Sequence, residues 1–174
     1  MRSTTVTRRQ AIAGIALAVG GLAAGTRARG DTQDSAKPAQ EEAPGKPRDS
    51  LHYEADFKVG PERIYGVLLD PRQFAAMTGR PAVIDATEGG AFSLFGGLIL
   101  GRNVELIPNR RIVQAWRPGH WEPGVYSIVR FEFMGQGTNT RMVLDHTGFP
   151  VAEADGLDSG WKGHYLDPLA KFLA

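Results

Sequence analysis

Cysteine is absent from all 174 residues. That excludes disulfides, thiolate metal sites, a cysteine nucleophile and lipid attachment at a processed N-terminal cysteine. No apolar run is long enough to span a bilayer: Ala11–Ala24 has 14 residues, against about 20 for a roughly 30 Å hydrocarbon core. An excess of either charge is missing too, the formal net charge being +1. The balance is uneven, however, with 8 Lys+Arg against 5 Asp+Glu in residues 1–50 and 12 against 14 in residues 51–174. A slightly acidic domain has no electrostatic footprint for a phosphate backbone, so nucleic acid is not an expected partner. Three chemical signatures are also missing: the G-x-S-x-G nucleophile turn, the phosphate-cradling G-x-x-x-x-G-K-[ST] loop and H-E-x-x-H. No catalytic residue, metal ligand or cofactor is assigned on these grounds.

What the first fifty residues do contain reads as an address followed by a tether. Residues 1–28 hold Arg2, Arg8, Arg9 and Arg27 and no acid, and they enclose the Ala- and Gly-rich run Ala11–Ala24. A basic start, a short apolar stretch and small residues at its end make a signal peptide. The pair Arg8-Arg9 after Thr7 resembles a twin-arginine export signal, which implies a periplasmic or extracellular destination and no stable membrane span after signal removal. Residues 29–50 carry three prolines, many charges and no aliphatic side chain larger than Ala. Such a segment cannot repay its ordering entropy and is expected to be a disordered linker. The Arg29-Gly30-Asp31 triplet within it is too short to carry meaning.

Residues 51–174 are expected to fold as one domain. Leu51–Val59 alternates imperfectly and predicts a first strand. Pro61 opens a helix at the position where its missing N–H costs nothing, with Ile64, Tyr65, Leu68 and Leu69 on one face. Asp70-Pro71 stops that helix and starts a second, ending near Met77. Six strand-like runs then follow: 82–87, 90–95, 98–107, 111–117, 126–134 and 140–147. The turns between them hold Gly89-Gly90, Gly96-Gly97, Pro108-Asn109 and Gly135–Gly137, with a wider stretch at 118–124, which predicts consecutive antiparallel pairing. A final helix is expected from about Asp158, capped by Asp158 or Ser159 and kinked at Pro168. Trp161, Tyr165, Leu169, Phe172 and Leu173 make its apolar face. The class is therefore α+β: a curved antiparallel sheet of six to seven strands gripping a long C-terminal helix, with two short helices after the first strand.

A grip of this kind leaves a cavity between sheet and helix. Phe92, Trp116, Phe131, Phe133, Met142, Trp161 and Tyr165 are expected either to line it, with Gln114 and His146 as its polar points, or simply to fill the core. Gln114 shares a face with Ile112 and Trp116, and a polar group there needs a partner: a ligand, a buried water or another side chain. His146 shares its face with Met142 and Leu144. It is read first as a hydrogen-bonded core residue and second as a ligand-orienting or proton-accepting one. Asp145 points to the opposite face, so the two are not a catalytic dyad. His52 is expected to be solvated, His164 to lie off the helix's apolar face, and His120 to edge a cavity mouth.

From Ala55 onward the chain resembles the activator of heat-shock-protein-90 ATPase C-terminal-like family of the START-like (SRPBCC) superfamily. The stretches that carry the likeness are 70–97, 101–118, 120–133 and 148–165. Within them Gly89-Gly90-Ala91-Phe92, Pro108, Trp116, Trp121, Thr140, Pro150 and Gly160-Trp161 stand where that family has them. The resemblance implies a helix-grip domain that binds an apolar or amphipathic small molecule. It equally allows a co-chaperone-like protein-interaction module, which an exposed apolar patch around Trp121 and Val125 would favour. A cyclase- or hydrolase-type enzyme needs two or more titratable groups converging on the cavity, and only His146 is placed there.

Overall fold

A computed structural model describes residues 48–174. The proposed signal, residues 1–28, and the linker up to residue 47 lie outside the described residues. Strand β1, Ser50–Phe57, begins one residue before the expected domain start and is followed by α1, Pro61–Leu69, and α2, Pro71–Thr78. Pro61 opens α1 as expected. The Asp70 carboxylate caps α2 by accepting from the backbone N–H groups of Arg72 and Gln73, at 2.8 and 2.9 Å. Gly79 ends α2 in the left-handed conformation, φ 68°, where a Cβ is unwelcome.

Six strands complete the sheet: β2 Val83–Ile84, β3 Ala91–Leu94, β4 Ile99–Ile107, β5 Arg111–Pro118, β6 Ser127–Gln136 and β7 Asn139–Thr147. Every pairing is antiparallel and the spatial order is β1-β7-β6-β5-β4-β3-β2. The chain therefore meanders from β2 to β7, and only β1 pairs across a long sequence interval, with Leu51 opposite His146. A register shift between Asn103 and Glu105 leaves Val104 bulged out and exposed while Asn103 turns inward and is buried. At Gly101 the sheet leaves no room for a side chain: a Cβ there would sit 2.2 Å from both the Ala115 carbonyl oxygen and the Phe92 ring.

The C-terminal helix departs from expectation in two ways. A 3-10 turn, Val151–Glu153, leads into α3, Ala154–Trp161, so the helix starts before Asp158. Asp158 does not cap it. Its carboxylate instead accepts from the Tyr53 hydroxyl at 2.5 Å and from the Lys162 ammonium at 3.0 Å, pinning the helix to β1. Pro168 is accommodated by widening rather than interruption. A π turn, Lys162–Leu166, precedes α4, Asp167–Phe172, and the Asp167 N–H reaches back five residues to the Lys162 carbonyl. Pro168 then falls in the first turn of α4, where a proline is tolerated.

Helices α1 and α2 close the grip from the other side. Ile64, Val67, Phe74 and Leu169 are fully buried, and Phe74 meets Tyr165 edge to face at 5.6 Å. Substituting Gly101→Ala should destabilise the domain by about 3 kcal/mol through overpacking against strand backbone. Urea unfolding that left the midpoint unchanged would show that β4 and β5 do not approach as described.

Candidate functional site

Two indoles lie at the centre of the molecule. Trp116 on β5 and Trp161 at the end of α3 stack with ring centroids 4.6 Å apart and planes 23° apart. An indole N–H donates and cannot accept, so each buried ring requires an acceptor. Both have one. Trp161 Nε1 donates to His146 Nδ1 at 2.9 Å, which obliges the proton of that ring to sit on Nε2. His146 Nε2 donates to Ser127 Oγ at 2.7 Å, and the Ser127 hydroxyl donates in turn to the Trp116 carbonyl at 3.2 Å. A second relay starts from the other indole. Trp116 Nε1 donates to Gln114 Oε1, Gln114 Nε2 to Asn103 Oδ1, and Asn103 Nδ2 to the Asp85 carbonyl, each at 2.8 Å.

These relays answer the question raised by Gln114: its partners are side chains of the protein. His146 likewise fits the core reading, since both ring nitrogens are engaged, no part of it is exposed and Phe149 packs on it at 4.9 Å. Burial holds its pKa down at about 4, so the ring is neutral near pH 7. Asp145 lies on the outer face, 2.7 Å from both His52 and Arg130. His52 is exposed, and its pKa is raised by the Asp145 hydrogen bond.

Beside the stacked indoles a groove of about 360 Å³ opens to solvent along one side of the C-terminal helix. Of the nine residues expected to line a cavity, Trp116, Trp161 and Tyr165 do so. The other six, Phe92, Gln114, Phe131, Phe133, Met142 and His146, are buried in the packed core and do not line the groove. Phe131 stacks on Tyr165 at 5.8 Å and Phe133 on Phe131 at 6.5 Å, which fills the space under the helix. The groove's apolar walls come instead from Phe95, Leu98, Ile99 and Leu157, and its rim from Arg80, His120, Glu153 and His164. Alternation along strands could not reveal residues that reach the groove from turns and strand ends. His120 does edge this mouth, 3.2 Å from Glu153, and His164 is exposed on the π turn. Trp121 is buried rather than part of an exposed patch, although Val125 near it is exposed.

Two glycines of α3, Gly156 and Gly160, also face the groove, and a Cβ on either would meet nothing within 4 Å. Glycine in a helix interior costs about 1 kcal/mol relative to alanine. Here it keeps open space beside the indoles. Because both indole N–H groups are engaged inside the protein, the rings present only carbon surface to that space.

The family model for the activator of Hsp90 ATPase homolog 1-like protein matches residues 58–174. An activator of 90 kDa heat shock protein ATPase homolog from Dictyostelium discoideum is 36% identical over 121 residues, covering 68% of this chain and 31% of that protein. Homolog 1 from Homo sapiens is 28% identical over 111 residues, 64% of this chain and 33% of that protein. The chain thus spans about a third of the length of the curated relatives it matches. The crystal structure of an HSP90 activator from Plasmodium falciparum superposes with a TM-score of 0.68 at 28% identity, covering 72% of this chain and 96% of that one. A Micromonospora echinospora protein, CalU16, shares the fold with a TM-score of 0.62 at 22% identity, over 72% of this chain and 76% of that one.

Neutral His146 sets a pH signature. Its folded pKa lies below the ordinary 6.5, so the stability it confers is full above pH 6.5 and is lost as pH falls through about 4. Wild type should lose about 3 kcal/mol more between pH 7 and pH 4 than His146→Gln, whose side chain does not titrate. Equal losses in parallel urea titrations would remove His146 from the acid sensitivity of the fold.

Proposed function

Because the chain belongs to the activator of Hsp90 ATPase homolog 1-like family, we propose that it is an exported binding module whose groove holds a hydrophobic or amphipathic small molecule. The observation that carries this reading is the glycine-widened groove over the stacked indoles. Its volume of about 360 Å³ falls at the lower end of small-molecule sites, about 300–1,000 Å³. Its floor and walls are mostly aromatic and aliphatic, and its charged groups are confined to the rim. The two relays beneath it hold the floor in one arrangement, so little ordering cost falls on the ligand.

Gly160→Leu tests the groove directly. The added side chain projects into open space, so the variant should keep or slightly raise its thermal stability while losing ligand. Native mass spectrometry on the protein purified from its own compartment should show a discrete added mass on the wild type and none on the variant. A bare wild type, unstabilised by a panel of lipids and metabolites, would sink this reading.

Export is argued from Arg8-Arg9 and the apolar run behind them. Replacing both arginines, Arg8→Lys with Arg9→Lys, should hold the protein in the cytoplasm on cell fractionation. Unchanged export would show that the pair is not the signal.

A second reading, action on a 90 kDa heat-shock ATPase, is favoured by what the relatives are called, homologs of activators of that enzyme. Stimulation of that ATPase by the purified chain, retained in Gly160→Leu, would place the interaction on another surface and leave the groove unrelated to it.

A further inference from the structure

We propose that the groove's ligand is a single-chain amphipath with a carboxylate head, and that Arg80 receives that head. This rests on the groove reading above and adds the class of ligand. Besides the buried Tyr165, the groove's titratable and charged lining residues are Arg80, His120, Glu153 and His164. Glu153 is already engaged, its carboxylate lying 3.2 Å from His120 Nε2. Arg80 is not. Among the described residues its polar contacts are main-chain ones with the Thr78 hydroxyl, at 3.3 and 3.4 Å, and no carboxylate meets its guanidinium. The lining charge left without a side-chain partner among the described residues is therefore the Arg80 guanidinium.

Arg80 is also held in place at its backbone. It follows Gly79, whose left-handed φ ends α2 and whose N–H bonds to the Ala75 carbonyl at 2.9 Å. The next residue, Pro81, accepts at 2.8 Å from the Gly96 N–H in the turn that leads to Leu98 and Ile99 on the groove wall. Phe74 of α2 packs on Phe95 and Tyr165, both groove residues, at 5.4 and 5.6 Å. The main chain that carries the guanidinium is thus built into the groove's own wall. A planar guanidinium matches a carboxylate with two parallel N–H donors. An ammonium head would be repelled there, and an uncharged hydroxyl would gain one ordinary hydrogen bond.

The test compares three probes with one tail, decanoate, decanol and decylamine, by calorimetry at pH 7.5 and low salt. Decanoate should bind about tenfold or more tightly than decanol, because hydrogen bonds between two charged groups are stronger than those to a neutral hydroxyl. Decylamine should bind most weakly. Arg80→Gln, at an exposed position, should cost decanoate about tenfold and decanol much less, and Arg80→Glu should invert the order of decanoate and decylamine. Binding of decanoate and decanol with equal affinity, or decanoate binding unaffected by Arg80→Gln, would overturn the head-group assignment alone. Failure of all three probes would overturn the groove reading and this assignment with it.

Discussion

Burying two indoles against each other commits the surrounding protein to supplying two acceptors in the dry interior. Trp116 and Trp161 stack at 4.6 Å with little of either exposed, and an unpaired N–H there would cost about 1–3 kcal/mol. Four buried polar side chains near them serve that demand. Gln114 and His146 accept directly, while Asn103 and Ser127 settle the groups left over by those acceptors. The register of the sheet follows from the same requirement. The bulge at Val104 turns Asn103 inward opposite Gln114, and Leu51 of the closing strand lies opposite His146. Sheet, helix and relays are consequently one cooperative unit, since loosening either tryptophan orphans groups on at least two strands.

The fold was legible because the chain announces its turns. Gly and Pro clusters at short intervals marked the consecutive pairing from β2 to β7, and Pro61, Asp70 and Pro71 marked α1 and α2. The start of the last helix was not legible, because Asp158 looks like a cap while its carboxylate is drawn off by Tyr53 across the fold. A local signal lost to a tertiary one. The candidate site was half legible for a similar reason. Inward-facing aromatics on neighbouring strands pack on one another, so Phe92, Phe131, Phe133 and Met142 became core rather than lining. The groove opens where the helix gives up side chains, at Gly156 and Gly160, beside turn residues such as Arg80 and Leu98. Hydrophobic periodicity reports what is filled, and a groove is the part left unfilled.

The family relationship does not by itself assign a use to the groove. The curated relatives are about three times as long as the stretch matched here, and fold likeness by itself does not choose an activity. The outer face of the sheet differs in character from the groove. There Arg111, Arg130, Arg141 and His52 alternate with Glu54, Asp56, Glu105, Glu132 and Asp145 in cross-strand ion pairs. Such exposed pairs contribute little stability, and they share that face with the exposed Ile128 and Met134.

The π turn has a consequence for reading sequences of this kind. An α-helix rotates about 100° per residue, so positions spaced by four drift about 40° at each step. Trp161, Tyr165, Leu169 and Leu173 keep that spacing through three steps, and all four are buried. An unbroken α-helix would carry Leu173 about 120° away from Trp161, around towards solvent. Widening one turn winds back about one residue's rotation and cancels most of the drift. A stride of four that does not relax to three, with a proline soon after, is how such a phase correction looks when written in one dimension.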